Sequence, residues 1–404
     1  MTYLNQIETL AADSPSIDAF GRWRSSNPYG LFSSKTIADA LPLLWDDAAV
    51  SGAGTSSTLN TNRASVTLGV GATTAGVRTR QTRRRFNYQP GKSQLALMTF
   101  VLGAAAAGIT REVGLFDDRN GLFLRQNSTS AYFVRRTYAT GAAVDTAVAQ
   151  ADWNVDQLDG TGPSGITLDL SKSQILFTDF EWLGVGRVRM GFVVDGAFIV
   201  AHEFLNANSL DVVYMSTPNL PVRYQITNSG AGAAATLEVI CCSVMSEGGQ
   251  EEIGTNVGVD NGTTQVSANT GGTTYPLVGV KLRSGYEGVT VIPKAISVLA
   301  TTNDDILWSL QFNPTITGTF TYADVTNSAI QRALGDTATV STPGFVLQSG
   351  YAEASQAIGV TASDIALGSK IDGTLDAIVL CATPLGTGAV NADIFGALTL
   401  RAIV

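Results

Sequence analysis

His202 is the one histidine in a chain of 404 residues. Histidine is the usual general acid or base near neutral pH and the commonest metal ligand. With one copy, in the apolar run Ile199-Val200-Ala201-His202-Glu203-Phe204, Ser-His-Asp chemistry has one possible centre and a histidine-rich metal site has none. The run reads as packed, and His202 as dispensable. Asp152, Asp156 and Asp159 surround Trp153 and lead into Gly160-Thr161-Gly162. Carboxylates in a glycine-rich loop can hold Ca²⁺, but the spacing is not that of an EF-hand, and Asx turns account for such loops as well. Asp117 and Asp118 are neighbours in a turn, and sequence neighbours do not make a glycosidase pair. Gly184, Gly186 and Gly191 have the wrong spacing for a phosphate loop, and a strand follows where a helix is needed. The expectation is a protein with no catalytic residues, no metal and no cofactor, acting as a binding or structural component.

The strongest charge cluster is Arg78, Arg80, Arg83, Arg84 and Arg85. On a strand, Arg78, Arg80 and Arg84 share one face, with Arg83 and Arg85 opposite. One reading is contact with an acidic neighbouring subunit, where guanidinium forks onto carboxylate. The other is a solvated edge that resists strand pairing. A formal charge of −9 argues against nucleic acid as the partner.

Charged residues make up 15% of the chain and apolar residues 45%; a soluble domain averages about 25% charged. Much of the surface is then Ser, Thr, Asn, Gly and Ala, which suits packing against many neighbours. The three cysteines, Cys241, Cys242 and Cys381, lie in apolar strand-like runs. Adjacent strand residues point to opposite faces, so Cys241 and Cys242 read as buried thiols rather than a bridge, and folding in a reducing cytoplasm is expected. Met1 to Glu8 carries no basic and apolar leader pattern. Leu95 to Ile109, interrupted by Thr99, Gly103 and Gly108, is too short to span a bilayer, so no membrane insertion is expected.

The elements that must position these residues are short strands with glycine-rich turns. Residues 1–61 read as an extended docking arm and linker. Phe20, Arg22, Trp23, Tyr29 and Phe32 lie in a stretch with neither helical nor strand period. Burial of Trp23, Tyr29, Phe32 and Trp45, about 20 kcal/mol, is close to the roughly 12–24 kcal/mol of ordering about a dozen residues of backbone. Docking across its own domain or on another subunit is expected, with residues 1–50 removable without unfolding the rest. Residues 62–246 read as a β-sandwich, with strands at 63–68, 94–100 and 174–180. Hairpins turn at Asp117 to Gly121 and at Asp195-Gly196, where Asp-Gly supplies the positive φ of a type I′ turn. Residues 247–275 read as a glycine-rich connector, and 276–404 as a second sandwich with one short helix, Ser328 to Leu334, stopped by Gly335. The fold class is all-β: two β-sandwich, jelly-roll-like domains behind an extended arm. Arg187 to Gly196 also resembles a concanavalin-like hairpin.

Asp18-Ala19-Phe20-Gly21-Arg22, continuing through Ser26-Asn27-Pro28-Tyr29 and Leu31-Phe32, resembles the opening of a structural protein family of tailed-bacteriophage virions. Gly160 to Asp169, Asp179 to Val188 and Leu210 to Tyr224 extend the resemblance over about residues 16–246; the second domain is less specific. The resemblance implies a place in a virus particle and no catalytic residues. The expected function is a non-enzymatic virion protein on the particle exterior, as capsid decoration, head fibre, or tail or baseplate component, assembled in the host cytoplasm. Expected partners are other virion proteins and copies of itself. The contact residues would be Phe20, Arg22, Trp23, Tyr29, Phe32, Arg78, Arg80 and Arg84. A different class is a glycan-binding module that recognises a host surface glycan, with Trp153, Trp182 or Tyr214 stacking on sugars; a depolymerase is a third.

Overall fold

Along Gln94–Val101, Gln94, Ala96, Met98 and Phe100 are buried and the residues between them are not. This period of two is the signature of a strand with one face on a core, and it organises the whole chain. The computed structural model describes residues 27–251, 253–302, 305–353, 357–361 and 365–403. Among them are twenty-eight strands and two single turns of 3₁₀ helix, with every named strand pair antiparallel. No helix among the described residues is long and apolar enough to cross a membrane.

The first sandwich has two sheets. One runs Ala197–Phe204, Val188–Val194, Gln174–Phe180, Gln94–Val101, Ala235–Ser246, Ser65–Val70 and Thr55–Asn60, with Tyr29–Lys35 also paired to Ala235–Ser246. The other runs Val144–Ala149, Ala131–Thr137, Gly121–Gln126, Ile109–Phe116, Val222–Ser229, Ala75–Thr82 and Trp45–Gly52. Their facing residues form one core that includes Phe100, Val113, Leu124, Phe133, Trp153, Phe192 and Tyr224. The Asp195-Gly196 hairpin is present, with φ of 50° and 83° as a type I′ turn requires.

The second sandwich pairs a five-stranded sheet centred on Gly388–Ile403 and Thr290–Ala300 with a six-stranded sheet centred on Tyr275–Leu282, Ala377–Pro384 and Ile306–Phe312. Its own core contains Leu277, Val298, Trp308, Leu380 and Leu398. The all-β, two-sandwich architecture is as expected, and the domain limits move. Residues 29–60 are not an arm and linker: they hold three strands of the first sandwich, and the Ser51 to Thr61 stretch crosses from the end of Trp45–Gly52 in one sheet to Thr55–Asn60 in the other. Deleting residues 1–50 would therefore remove Tyr29–Lys35 and most of Trp45–Gly52. The glycine-rich connector contributes Thr255–Asp260 and Val266–Gly271, both paired to Gly388–Ile403. The expected helix at Ser328 to Leu334 is instead the strand Ile330–Leu334, paired from Leu334↔Val278 to Ile330↔Leu282. Burial of Ile330 and Ala333 against the sheet outweighs local helix propensity.

Candidate functional site

Of the arginines that dominate the charge pattern, Arg78, Arg80 and Arg84 bind within the first sandwich, and Arg83 and Arg85 reach the second. Ala75–Thr82 ends at Thr82, so strand alternation does not carry through to Arg83, Arg84 and Arg85, and the five do not divide into the two expected faces. Arg80 lies opposite Tyr224 in the sheet and is fully buried. It pairs with Asp47, stacks 4.7 Å above the Trp45 ring and donates to the Ala40 carbonyl. Burial raises the Asp47 carboxyl above its usual range and lowers the Arg80 guanidinium below its own, so desolvation outweighs their attraction. Arg78 donates to the Asp47 carbonyl. Arg84, lowered by burial, reaches the Leu31 carbonyl. The acidic partner of Arg80 is thus in the same chain, and the expected contact with another subunit through Arg80 is corrected.

Arg83 and Arg85 cross the seam. Arg83 Nη1 is 2.8 Å from Asp376 Oδ1, which also accepts from Asn313 Nδ2 at 2.7 Å. Asp376 is buried, and burial raises its carboxyl despite these partners. Arg85 Nη1 donates to Ser369 Oγ at 3.1 Å, and its Nη2 lies 3.2 Å from Asp117. Burial opposes ionisation of Asp117, but the Arg85 charge and the amides of Asn120 and Arg119 hold it below the usual carboxylate range. Three further bonds close the seam: Asn219 Nδ2 to the Gly288 carbonyl, the Ile371 amide to Asp46, and the Ser369 amide to the Arg83 carbonyl. Gly368 permits this approach, because a Cβ there would sit 2.4 Å from the Arg83 carbonyl oxygen.

Beside these bonds the seam opens into a polar cleft of about 580 Å³. The first sandwich supplies Arg85, the Asp117 to Asn120 turn, Tyr138 and Arg223; the second supplies Ser284 to Val289 and Ser369 to Ile371. Arg223 is fixed by Asp118 at 2.5 Å and Gln81 at 2.7 Å. Asn120 accepts the amides of Tyr138 and Ser216, tying three cleft segments together.

A second feature is a groove of about 490 Å³ at one end of the first sandwich, lined by Leu183, Val185 and Leu205 with Glu181 and Arg187 at its rim. Leu183 is 57% exposed and Leu205 60%. Leu183 has φ of 34°, a left-handed backbone that costs a leucine about 1–2 kcal/mol. The turn is built from below by Trp182 Nε1 on the Met215 carbonyl and Tyr214 OH on the Glu181 carbonyl. The segments Asp179 to Val188 and Leu210 to Tyr224 meet here.

The other expected residues fall as follows. Phe20, Arg22 and Trp23 lie outside the described residues. Tyr29 is half exposed at the start of its strand, whereas Phe32 is partly buried and packs within the chain on Trp45 and Phe86 at ring distances of 6.0 and 5.2 Å. Trp153 and Tyr214 are buried and offer no stacking face to a sugar; Trp182 is partly exposed, with its indole N–H on the Met215 carbonyl. Asp156 binds the amides of Leu158 and Ser164, and Asp159 binds Thr161; they form separate loop turns, not a shared cation site. His202 is buried against Phe204, and its Nδ1 accepts the Asn154 amide. Cys242 and Cys381 are buried free thiols, raised by burial.

Sequence reading found the arginines but not Asp46, Asp47, Asp376 or Ser369 as their partners, nor the cleft, which brings segments as distant in sequence as Arg85 and Ser369 together. The signal that was available is Asp46-Asp47 directly after Trp45, two acids opening an apolar-flanked strand.

No family model and no curated protein matches the chain. Solved structures match over about half of it. The Emp47p carbohydrate recognition domain is 10% identical, covering 55% of this chain and 97% of its own, with a TM-score of 0.34. A legume lectin-like domain from Entamoeba histolytica is 11% identical, covering 54% and 97%, with a TM-score of 0.32. A glycoside hydrolase family protein from Mycobacterium thermorestibile is 12% identical, covering 53% and 99%, with a TM-score of 0.37. Likeness at this level bears on neither ligand nor activity.

Proposed function

We propose that this chain is a non-enzymatic structural protein on the exterior of a tailed-phage particle, acting by packing against other subunits. The observation that carries this is the Leu183, Val185 and Leu205 groove. Three exposed aliphatic side chains line one concavity of the first sandwich, and one of them is held there on strained backbone. Exposed apolar concavities with a polar rim mark contact surfaces, and strain persists where surrounding structure over-determines it, as it does at contact sites. The family resemblance of the same two turns supports a particle as the setting. The exposed Tyr29, at the start of the first described strand, supports a second contact at this N-terminal segment. Mass spectrometry of purified particles should find the chain, and a double variant, Leu183→Asn with Leu205→Ser, should fold but be incorporated at least tenfold less. A truncation after residue 26, which spares every described strand, should have the same phenotype. Particles without the chain, or incorporation unchanged in both variants, would overturn the reading.

A further inference from the structure

We propose that the seam cleft binds an acidic saccharide. The chain carries a net charge of −9, yet the cleft places four cationic side chains, Arg85, Arg119, Arg223 and Lys370, against three anionic ones, Asp117, Asp118 and Glu287, a local balance of +1. Two of those cations are taken, Arg85 by Asp117 and Arg223 by Asp118. Among the described residues, Arg119 and Lys370 have no carboxylate within salt-bridge distance, and they rise from opposite walls. Glu287 is turned to its own loop, where it accepts the Gly285 amide at 3.0 Å. The cleft therefore offers a ligand carboxylate, sulfate or phosphate ester two cations outside any salt bridge of the described residues, Arg119 over the Tyr138 ring and Lys370 in the field of Asp372 and Asp376.

A ring-shaped, hydroxylated ligand fits the rest of the lining. Tyr138 stands on the wall of the first sandwich and Tyr286, 41% exposed, on that of the second. Each carries a guanidinium near its ring, Arg119 at 5.3 Å and Arg283 at 5.1 Å, which leaves an outer face for the C–H surface of a pyranose. Ser216 and Ser284 are exposed at the rim. The volume lies within the roughly 300–1,000 Å³ of small-ligand sites. The walls are held together by Arg83–Asp376, Arg85–Ser369 and Asn219–Gly288, so little ordering remains to be done on binding. A free anion would use the two cations and neither tyrosine, and a neutral sugar the tyrosines and neither cation.

The inference does not rest on the virion reading: it concerns the purified chain alone, and a chain absent from particles could still bind, just as an incorporated one could fail to. The test is a glycan array with uronate, sialate, sulfate and phosphate sugars beside neutral glycans of the same backbone, followed by calorimetry on the best hit. Native protein should select acidic glycans, with affinity falling as salt rises. Arg119→Ala, Lys370→Gln and Tyr286→Ala, all surface changes, should each weaken binding about tenfold or more at an unchanged melting temperature, while Leu183→Asn with Leu205→Ser binds normally. No acidic glycan bound, binding indifferent to these three variants, or competition by inorganic sulfate or phosphate at concentrations as low as the glycan would each overturn it.

Discussion

Arg80 shows how far the chemistry of one residue is set by its neighbours. An arginine in a run of five reads as a surface charge, but its guanidinium lies between the sheets, on Asp47, the Ala40 carbonyl and the Trp45 ring. Breaking a buried pair by removing one partner leaves the other charge stranded. Arg80→Ala should therefore cost about 3 kcal/mol in urea unfolding, and Arg80→Met combined with Asp47→Leu should recover at least half of it. A loss under 1 kcal/mol for the single variant would mean that Asp47 finds solvent instead. His202 makes a second residue-scale case. Burial lowers its pKa from 6.5 to about 4, so the folded state holds it neutral while the unfolded state takes up a proton below pH 6.5. The contribution is fully present above pH 6.5 and is lost as pH falls toward 4. After allowance for solvent screening, the native protein should lose about 1 kcal/mol more than His202→Gln between pH 7 and pH 5. Parallel stability profiles for the two would show that the imidazole is not desolvated.

At the scale of elements, period-two burial was legible wherever a strand has one wet face. Gln94–Val101 falls where alternation places it, Gln174–Phe180 and Ile306–Phe312 fall on short apolar runs, and the Asp195-Gly196 turn follows from its dipeptide. Ile330–Leu334 was not legible, because Ser-Ala-Ile-Gln-Arg-Ala-Leu has helical composition and only its pairing with Tyr275–Leu282 makes it a strand. The Leu183 turn was equally hidden: no sequence rule puts a leucine at positive φ, and what holds it is the Trp182 and Tyr214 bonds from a segment thirty residues away. This turn yields a prediction separate from assembly. Asparagine tolerates left-handed backbone, so Leu183→Asn should leave stability unchanged or raise it by up to about 1 kcal/mol even as incorporation falls. A drop of more than 1 kcal/mol in chemical denaturation would mean the leucine supports the fold rather than a contact.

At the scale of the molecule, two sandwiches with separate cores are expected to unfold independently unless the seam couples them. Long-range partners are what a single sequence leaves unspecified: nothing near Arg83 points to Asp376, and nothing near Asp376 points back. Yet this pair ties the Thr82 end of one domain to the Ala377–Pro384 strand of the other, and its acid has one oxygen without a hydrogen-bond partner. Removing Arg83 leaves Asp376 with Asn313 alone, so the larger cost falls on the second sandwich, beside the lost contacts to Pro42 and Asp46 in the first. Calorimetry of Arg83→Ala should show a transition moved down in temperature and separated from the rest, with a loss of about 3 kcal/mol there, while the first sandwich shifts less. Arg83 does not line the cleft, so weaker saccharide binding by the same variant would report a loosened wall rather than a lost contact. A scan superimposable on the native one would show that the remaining seam bonds, Arg85–Ser369, Asn219–Gly288 and Asp46–Ile371, suffice to couple the halves without the arginine.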